Sequence, residues 1–226
     1  MLISMKREKC VLCSTILIGL ALGLSACARP ETGKMVAVAP PPGWEDGLIE
    51  SRRIRDDYFR SSPETPLPAE DRETFGALAY WPPDPSYYFM GPIQRYANPE
   101  RFEIVATSGK RRPCERVGWI DLELEGAPLR LQVYRLLDVN APSDTASLFL
   151  PFTDATTGKL TYPAGRYVEL AGAEGGPYTL DFNLAHNPSC AYGDPDRFAC
   201  PITPAENRLD VPIAAGETGY KQPGQS

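Results

Sequence analysis

Trp119-Ile120-Asp121-Leu122-Glu123-Leu124-Glu125-Gly126-Ala127 decides the fold class. Ile120, Leu122 and Leu124 alternate with Asp121 and Glu123. Successive strand side chains point to opposite faces, so this period of two sends an apolar face inward and an acidic face into water. Glu125-Gly126-Ala127 then reads as a hairpin turn into a second strand, Pro128–Arg135. Working outward, short β-type runs recur at Phe75–Tyr80, Tyr87–Met90, Arg101–Thr107, Arg116–Leu124, Ser147–Phe152, Arg166–Leu170 and Tyr178–Leu184, separated by Pro, Gly and Asn. The 24 Pro and 19 Gly of the chain disfavour long helices. The pattern predicts a mainly β domain over residues 45–220, an antiparallel sandwich or barrel-like fold with one N-terminal helix. That helix is expected at Trp44–Arg60, where Leu48, Ile54, Tyr58 and Phe59 recur among charged residues and Ser61-Ser62-Pro63 ends it.

Composition narrows the function. The chain has 226 residues, 42% of them hydrophobic, enough for one core of ordinary size. Its 23 Lys+Arg against 29 Asp+Glu give a net charge of −6, with no clustered basic face, which argues against nucleic acid as a partner.

Residues 1–26 read as a signal peptide. A basic stretch at Lys6, Arg7 and Lys9 precedes an apolar run from Cys10 to Leu24, shorter than the roughly 20 residues that span hydrocarbon. Leu24-Ser25-Ala26-Cys27 resembles the lipobox of bacterial lipoproteins. The resemblance implies that the Cys27 thiol receives a diacylglyceryl group, that the chain is cut before Cys27, and that the new amino terminus is acylated. The alternatives are an uncleaved anchor and soluble secretion with cleavage near Ala26. Acyl chains contribute about 0.8 kcal/mol per buried methylene, so two or three hold a protein on a membrane. Loss of residues 1–26 leaves 20 basic and 28 acidic residues, a charge of −8, so lipid rather than basic residues makes the attachment. The expected location is the bacterial cell envelope, with membrane contact through Cys27. In a host with two membranes, Ala28 after the Cys resembles sorting to the periplasmic side of the outer membrane. Residues 27–44, rich in Pro, are expected to be a lipidated tether, and 221–226 a disordered tail.

Cys10 and Cys13 leave with the signal, and lipid takes Cys27. Of the rest, Cys190 and Cys200 are candidates for a disulfide across Ala191–Ala199, while Cys114 has no evident partner. Buried free thiols are the alternative for all three.

The C-terminal third carries polar residues in ordered blocks. They are Phe152-Thr153-Asp154-Ala155-Thr156-Thr157-Gly158, Thr161-Tyr162-Pro163-Ala164-Gly165-Arg166-Tyr167, Asp181-Phe182-Asn183, Asn187-Pro188-Ser189-Cys190, Cys200-Pro201, Glu206-Asn207-Arg208-Leu209 and Ala215-Gly216-Glu217. In order and spacing these resemble the bacterial family known as domain of unknown function 1684, over roughly residues 75–217. Pro163 stands where that family usually has Gly, and His186 where it usually has Tyr. The resemblance implies no activity, because the family has none established.

Chemistry is therefore read from the residues. Period two places Asp181 and Asn183 on one face of the expected strand Tyr178–Leu184, where Arg166 from a neighbouring strand is positioned to pair with a carboxylate or clamp an anion. A polar cleft of Asp154, Arg166, Asp181, Asn183, Asn187, Glu206 and Glu217 would bind a small polar or anionic ligand. The same cleft as an acid/base hydrolase needs two carboxylates in unlike environments. A third reading, an envelope scaffold that docks a protein partner, expects the polar residues to be satisfied locally: Asp154 in an Asx turn, Arg166 in a buried ion pair, Glu206 tying a loop to the rim. The only imidazole, His186, excludes a multi-His metal site, and no cofactor motif is present.

Overall fold

The computed structural model describes residues 33–137, 147–193 and 196–220. The expected signal peptide, Cys27 and the tail at 221–226 lie outside the described residues. The hairpin that the sequence announces forms as read. Strand β4 (Arg111–Leu124) pairs antiparallel with β5 (Ala127–Leu136), with Ile120 opposite Leu131 and Leu124 opposite Ala127. Glu125 (φ 51°) and Gly126 (φ 82°) make its two-residue turn, and positive φ at both positions matches the right-handed twist of the flanking strands. Ile120, Leu122 and Leu124 are buried, as their alternation with acids demands.

Two antiparallel sheets share the main core. One has the order β3-β4-β5-β6-β7, adding β3 (Gln94–Val105), β6 (Leu148–Phe152) and β7 (Arg166–Glu169). The other has the order β1-β2-β9-β8, from β1 (Val36–Ala37), β2 (Tyr88–Gly91), β8 (Ala171–Gly172) and β9 (Tyr178–Asp181). Phe89 and Leu180 from the smaller sheet meet Ile120, Leu131, Leu150 and Val168 from the larger. Two sheets packed face to face bury their inner faces without closing, and no closed barrel forms among the described residues.

Helix α1 (Trp44–Ser61) forms where expected, with Glu45 and Asp46 in its first turn and Arg60 in its last, charges that suit the helix dipole. Its Phe59 docks on Leu67, Leu78 and Tyr192 in a second, smaller core. A short helix, α2 (Ala69–Arg72), follows.

Three expectations are corrected. The tether does not extend to residue 44: β1 pairs with β2, and Met35 is buried in the main core, because an apolar Met-Val-Ala-Val run completes the edge of the smaller sheet. Phe75–Tyr80 is not a strand. The Leu78 N–H goes to Asp56 Oδ1 on α1, and Tyr80 makes a single bridge to Glu217, so those backbone groups are satisfied without a ladder. The run Tyr178–Leu184 stops as a strand at Asp181, whose carboxylate accepts the Asn183 N–H and caps a 3-10 turn, Phe182–Leu184.

Candidate functional site

Gly165, at φ 95°, lets the chain turn into β7 against the Phe152 carbonyl and delivers Arg166 to the interior. Arg166 is 1% exposed. Its guanidinium donates to the carbonyls of Ala215, Ile213 and Glu217, and to Asp154 Oδ2 at 3.1 Å. Trp81 and Phe152 lie against it, 5.2 and 5.1 Å from ring centroid to guanidinium carbon. Asp154 is equally committed: Oδ2 also accepts the Ile213 N–H, and Oδ1 accepts from Thr156 N–H, Thr156 Oγ1 and Thr157 Oγ1. The bonds to Ile213, Ala215 and Glu217 tie the β6–β7 region to the C-terminal segment, while those to Thr156 and Thr157 close the turn after β6. A buried Arg is tolerable only when paired and hydrogen-bonded in this way.

The other predicted residues divide similarly. Asp181 pairs with Asn183, as the sequence places them, and also accepts Trp44 Nε1–H at 2.7 Å, fixing the start of α1. Arg166 faces Asp154 rather than Asp181. Asn183 closes a two-way bond with the backbone of Asp84. Glu206 accepts from Arg116 and from the Tyr134 hydroxyl, holding the rim of the larger sheet. Asn207 accepts the Gln132 N–H and donates to the carbonyls of Gln132 and Pro151.

Glu217 and Asn187 are different. Glu217 is almost fully buried, and desolvation pushes its carboxyl up to about 7 despite Arg55 nearby. Tyr192 donates to its Oε1, and the Asn187 N–H donates to Oε2. Arg55 Nη2 sits 3.6 Å from that same oxygen. Asn187 is 0% exposed, donates to the Thr218 carbonyl, and leaves its own Oδ1 without a partner.

Asn187 also lines a cavity of about 530 Å³. Arg55 from α1, Arg112 from β4 and Arg197 from the loop before Cys200 border it, and Glu169 on β7 is the one carboxylate among its described lining residues. Phe149, Tyr167, Phe198 and Leu136 supply apolar wall. His186, with 23% of its side chain exposed, stands 3.8 Å from Glu169, and burial lowers its pKa, keeping the imidazole neutral at pH 7. The described lining residues hold three guanidinium groups and one carboxylate, on a chain whose net charge is −6; outside the lining, Arg55 also lies 3.6 Å from Glu217 Oε2 and Arg197 3.4 Å from Glu64 Oε2. A second hollow of about 400 Å³ is lined in part by the same Arg55, Glu169 and His186, so the two adjoin.

Of the predicted cleft residues, only Asn187 borders the 530 Å³ cavity; Asp154, Arg166, Asp181, Asn183, Glu206 and Glu217 do not. Sequence reasoning missed Arg55, Arg112, Glu169 and Arg197, which come from four separate segments with no shared local pattern. The Arg111-Arg112 pair and the T-Y-x-x-G-R-Y block that runs into β7 are the only traces. Cys190 and Cys200 are thiols, and the Cys190 N–H donates to Cys200 Sγ at 3.3 Å. Among the described residues no three His, Cys, Asp or Glu side chains gather as a metal site, and no helix is long and apolar enough to cross a membrane.

A family model described as "Protein of unknown function (DUF1684)" matches residues 73–218. The solution NMR structure of an uncharacterized protein of Haloarcula marismortui is similar at 34% identity with a TM-score of 0.60, over 77% of this chain and 94% of that one. A search of curated proteins finds no match.

Proposed function

The chain belongs to the DUF1684 family, and from that premise we propose that it binds a small anionic ligand in the 530 Å³ cavity. The observation that carries this is the convergence of Arg55, Arg112 and Arg197 on a hollow whose described lining holds one carboxylate, Glu169. The volume falls in the range of small-molecule sites. Planar guanidinium groups pair with carboxylate or phosphate through parallel N–H bonds, and apolar walls lower the local dielectric and strengthen such bonds. Asn187 contributes a fixed polar edge. The network of Arg166 and Asp154 then acts as the frame behind the cavity, not as its contact surface.

The test is calorimetric titration of the chain with inorganic phosphate and with succinate at low ionic strength. The double variant Arg112→Ala with Arg197→Ala is expected to weaken binding at least tenfold, since hydrogen bonds to charged groups are each worth about 1.5–3 kcal/mol. A wild type that binds neither anion, or a variant that binds as well as wild type, overturns the reading.

We further propose that the domain works at a bacterial cell envelope, held by lipid on Cys27. The support is the order of basic flank, short apolar run and Leu-Ser-Ala-Cys. With Met35 in the core, seven residues separate Cys27 from the fold. The eight steps from Cys27 to Met35 reach at most about 29 Å, which keeps the start of the folded domain within that distance of the lipid anchor. Radioactive palmitate is expected to label wild type and not Cys27→Ser; label on the variant overturns this part.

A further inference from the structure

Cys190 and Cys200 are not among the groups assigned to the anion. Cys190 lies in a 3-10 turn, Ser189–Ala191, and the Ala191 N–H donates to the Pro188 carbonyl at 2.8 Å. The backbone of Cys200 is held by Thr107, whose N–H donates to its carbonyl at 2.9 Å, and by the carbonyl of Phe198. Two braced segments, ten residues apart, thus bring their sulfurs together. The Tyr162 hydroxyl lies 3.8 Å from Cys190 Sγ. Cys200 lines the 530 Å³ cavity, and so does Ser189, whereas Cys190 itself does not; each cysteine is 8% exposed, so a small reagent in the cavity lies beside Cys200 and one residue from Cys190.

We propose that Cys190 and Cys200 are a reversible dithiol–disulfide couple that exchanges with low-molecular-weight disulfides entering through the cavity. The thiolate of Cys190 attacks one sulfur of R–S–S–R. That S–S bond breaks, a mixed disulfide forms, and R–S⁻ leaves and takes a proton from solvent. Cys200 gives up its proton to solvent and attacks Cys190 Sγ, the mixed disulfide breaks, and a second R–S⁻ leaves to be protonated. Overall the protein dithiol and R–S–S–R become the protein disulfide and two R–SH; the protein is oxidised and the small disulfide reduced.

The surroundings favour a labile bridge over a permanent one. Hydrogen bonds from Cys200, Thr107 and Tyr162 bring the Cys190 thiol down to about 6, and the hydrogen bond that Cys200 gives to Cys190, together with burial, pushes Cys200 up. Those donors steady a thiolate and lose their role once the sulfurs are bonded, so they stabilise the reduced form selectively, the arrangement that makes a disulfide easy to reduce.

The inference goes beyond anion binding, and an uncharged probe keeps the two separable. The full chain is equilibrated in stepped mixtures of 2-mercaptoethanol and its disulfide, quenched in acid, alkylated and digested, and the Cys190–Cys200 linked peptide is quantified by mass spectrometry. The linked fraction is expected to rise from below a tenth to above nine-tenths over about a hundredfold change in the ratio of squared thiol to disulfide. Linkage at every ratio, or at none, overturns the proposal. Iodoacetamide labelling of Cys190 in the reduced chain should rise with pH to a midpoint near 6. Tyr162→Phe is expected to slow that labelling at pH 6 at least threefold. A thiol that stays unlabelled between pH 5 and 9, or a rate indifferent to Tyr162, also overturns it.

Discussion

The arginine at the heart of the polar network and the arginines around the cavity are the same chemical group in opposite employment. Arg166 spends its Nη1 and Nη2 N–H groups on three carbonyls and Asp154, leaves Nε without a hydrogen-bond partner, and has two aromatic rings over its faces. Arg55, by contrast, has about a third of its side chain exposed, and its nearest carboxylate oxygen is 3.6 Å away on Glu217. A cation surrounded by backbone carbonyls holds a fold; a cation bordering an open hollow is placed to meet something from solution. The density of polar residues in the C-terminal third therefore marks the frame, and the open chemistry lies on the segments packed against it.

The sharpest way to break this contrast is Arg166→Ala. It strands the Asp154 charge in the interior and removes the donor from three carbonyls, so a loss of about 3–5 kcal/mol is expected in denaturant unfolding, enough to unfold a marginal domain. A loss below about 1 kcal/mol would mean that solvent reaches the network, and Arg166 would return to the list of ligand contacts.

Glu217 lies on the border between frame and cavity, and its titration sharpens the comparison. The folded chain holds that proton up to about 7, whereas an unfolded glutamate releases it near 4.5. Between those values the folded state binds more protons than the unfolded state, so raising the pH favours unfolding. From the Glu217 contribution, stability is expected to fall by up to about 3 kcal/mol between pH 4.5 and pH 7. Glu217→Gln should flatten that slope when unfolding free energy is measured across the window. An unchanged slope in the variant would assign the titration elsewhere and leave Glu217 charged beside Arg55.

These residues also show what a linear sequence discloses. Ile120, Leu122 and Leu124 announce their burial because strand periodicity is local, and Glu125-Gly126 announces its turn because positive φ is a property of those two residues. The Asx turn at Asp154 is legible for the same reason: Thr156 and Thr157 follow within reach of its carboxylate. That Arg166 pairs with Asp154 and not Asp181 depends on how β6 and β7 pair and on where the C-terminal segment crosses them, contacts made far along the chain. Asn183 misleads because a side-chain cap from Asp181 competes with the ladder and wins within two residues. The cavity was least visible, since Arg55, Arg112, Glu169 and Arg197 converge only after both sheets and α1 are assembled. No window of sequence contains two of them.

The smallest effect on the fold is the one that separates the two regions most cleanly. Glu169 has about half of its side chain exposed and faces His186 at 3.8 Å. Such a partly exposed contact, to an imidazole that burial keeps neutral, adds little to stability, so Glu169→Gln should change unfolding free energy by less than about 0.5 kcal/mol. Its effect on the cavity runs the other way. Removing the one carboxylate among the described lining residues takes away a repulsion felt by any entering anion. Phosphate affinity should therefore rise by about threefold, most at low ionic strength, because added salt screens the same repulsion. Calorimetric titration of wild type and variant at two salt concentrations measures both features. Weaker phosphate binding in Glu169→Gln would show that this carboxylate positions Arg55 or Arg112 rather than opposing the anion, and the division between frame and cavity would have to be drawn through β7 itself.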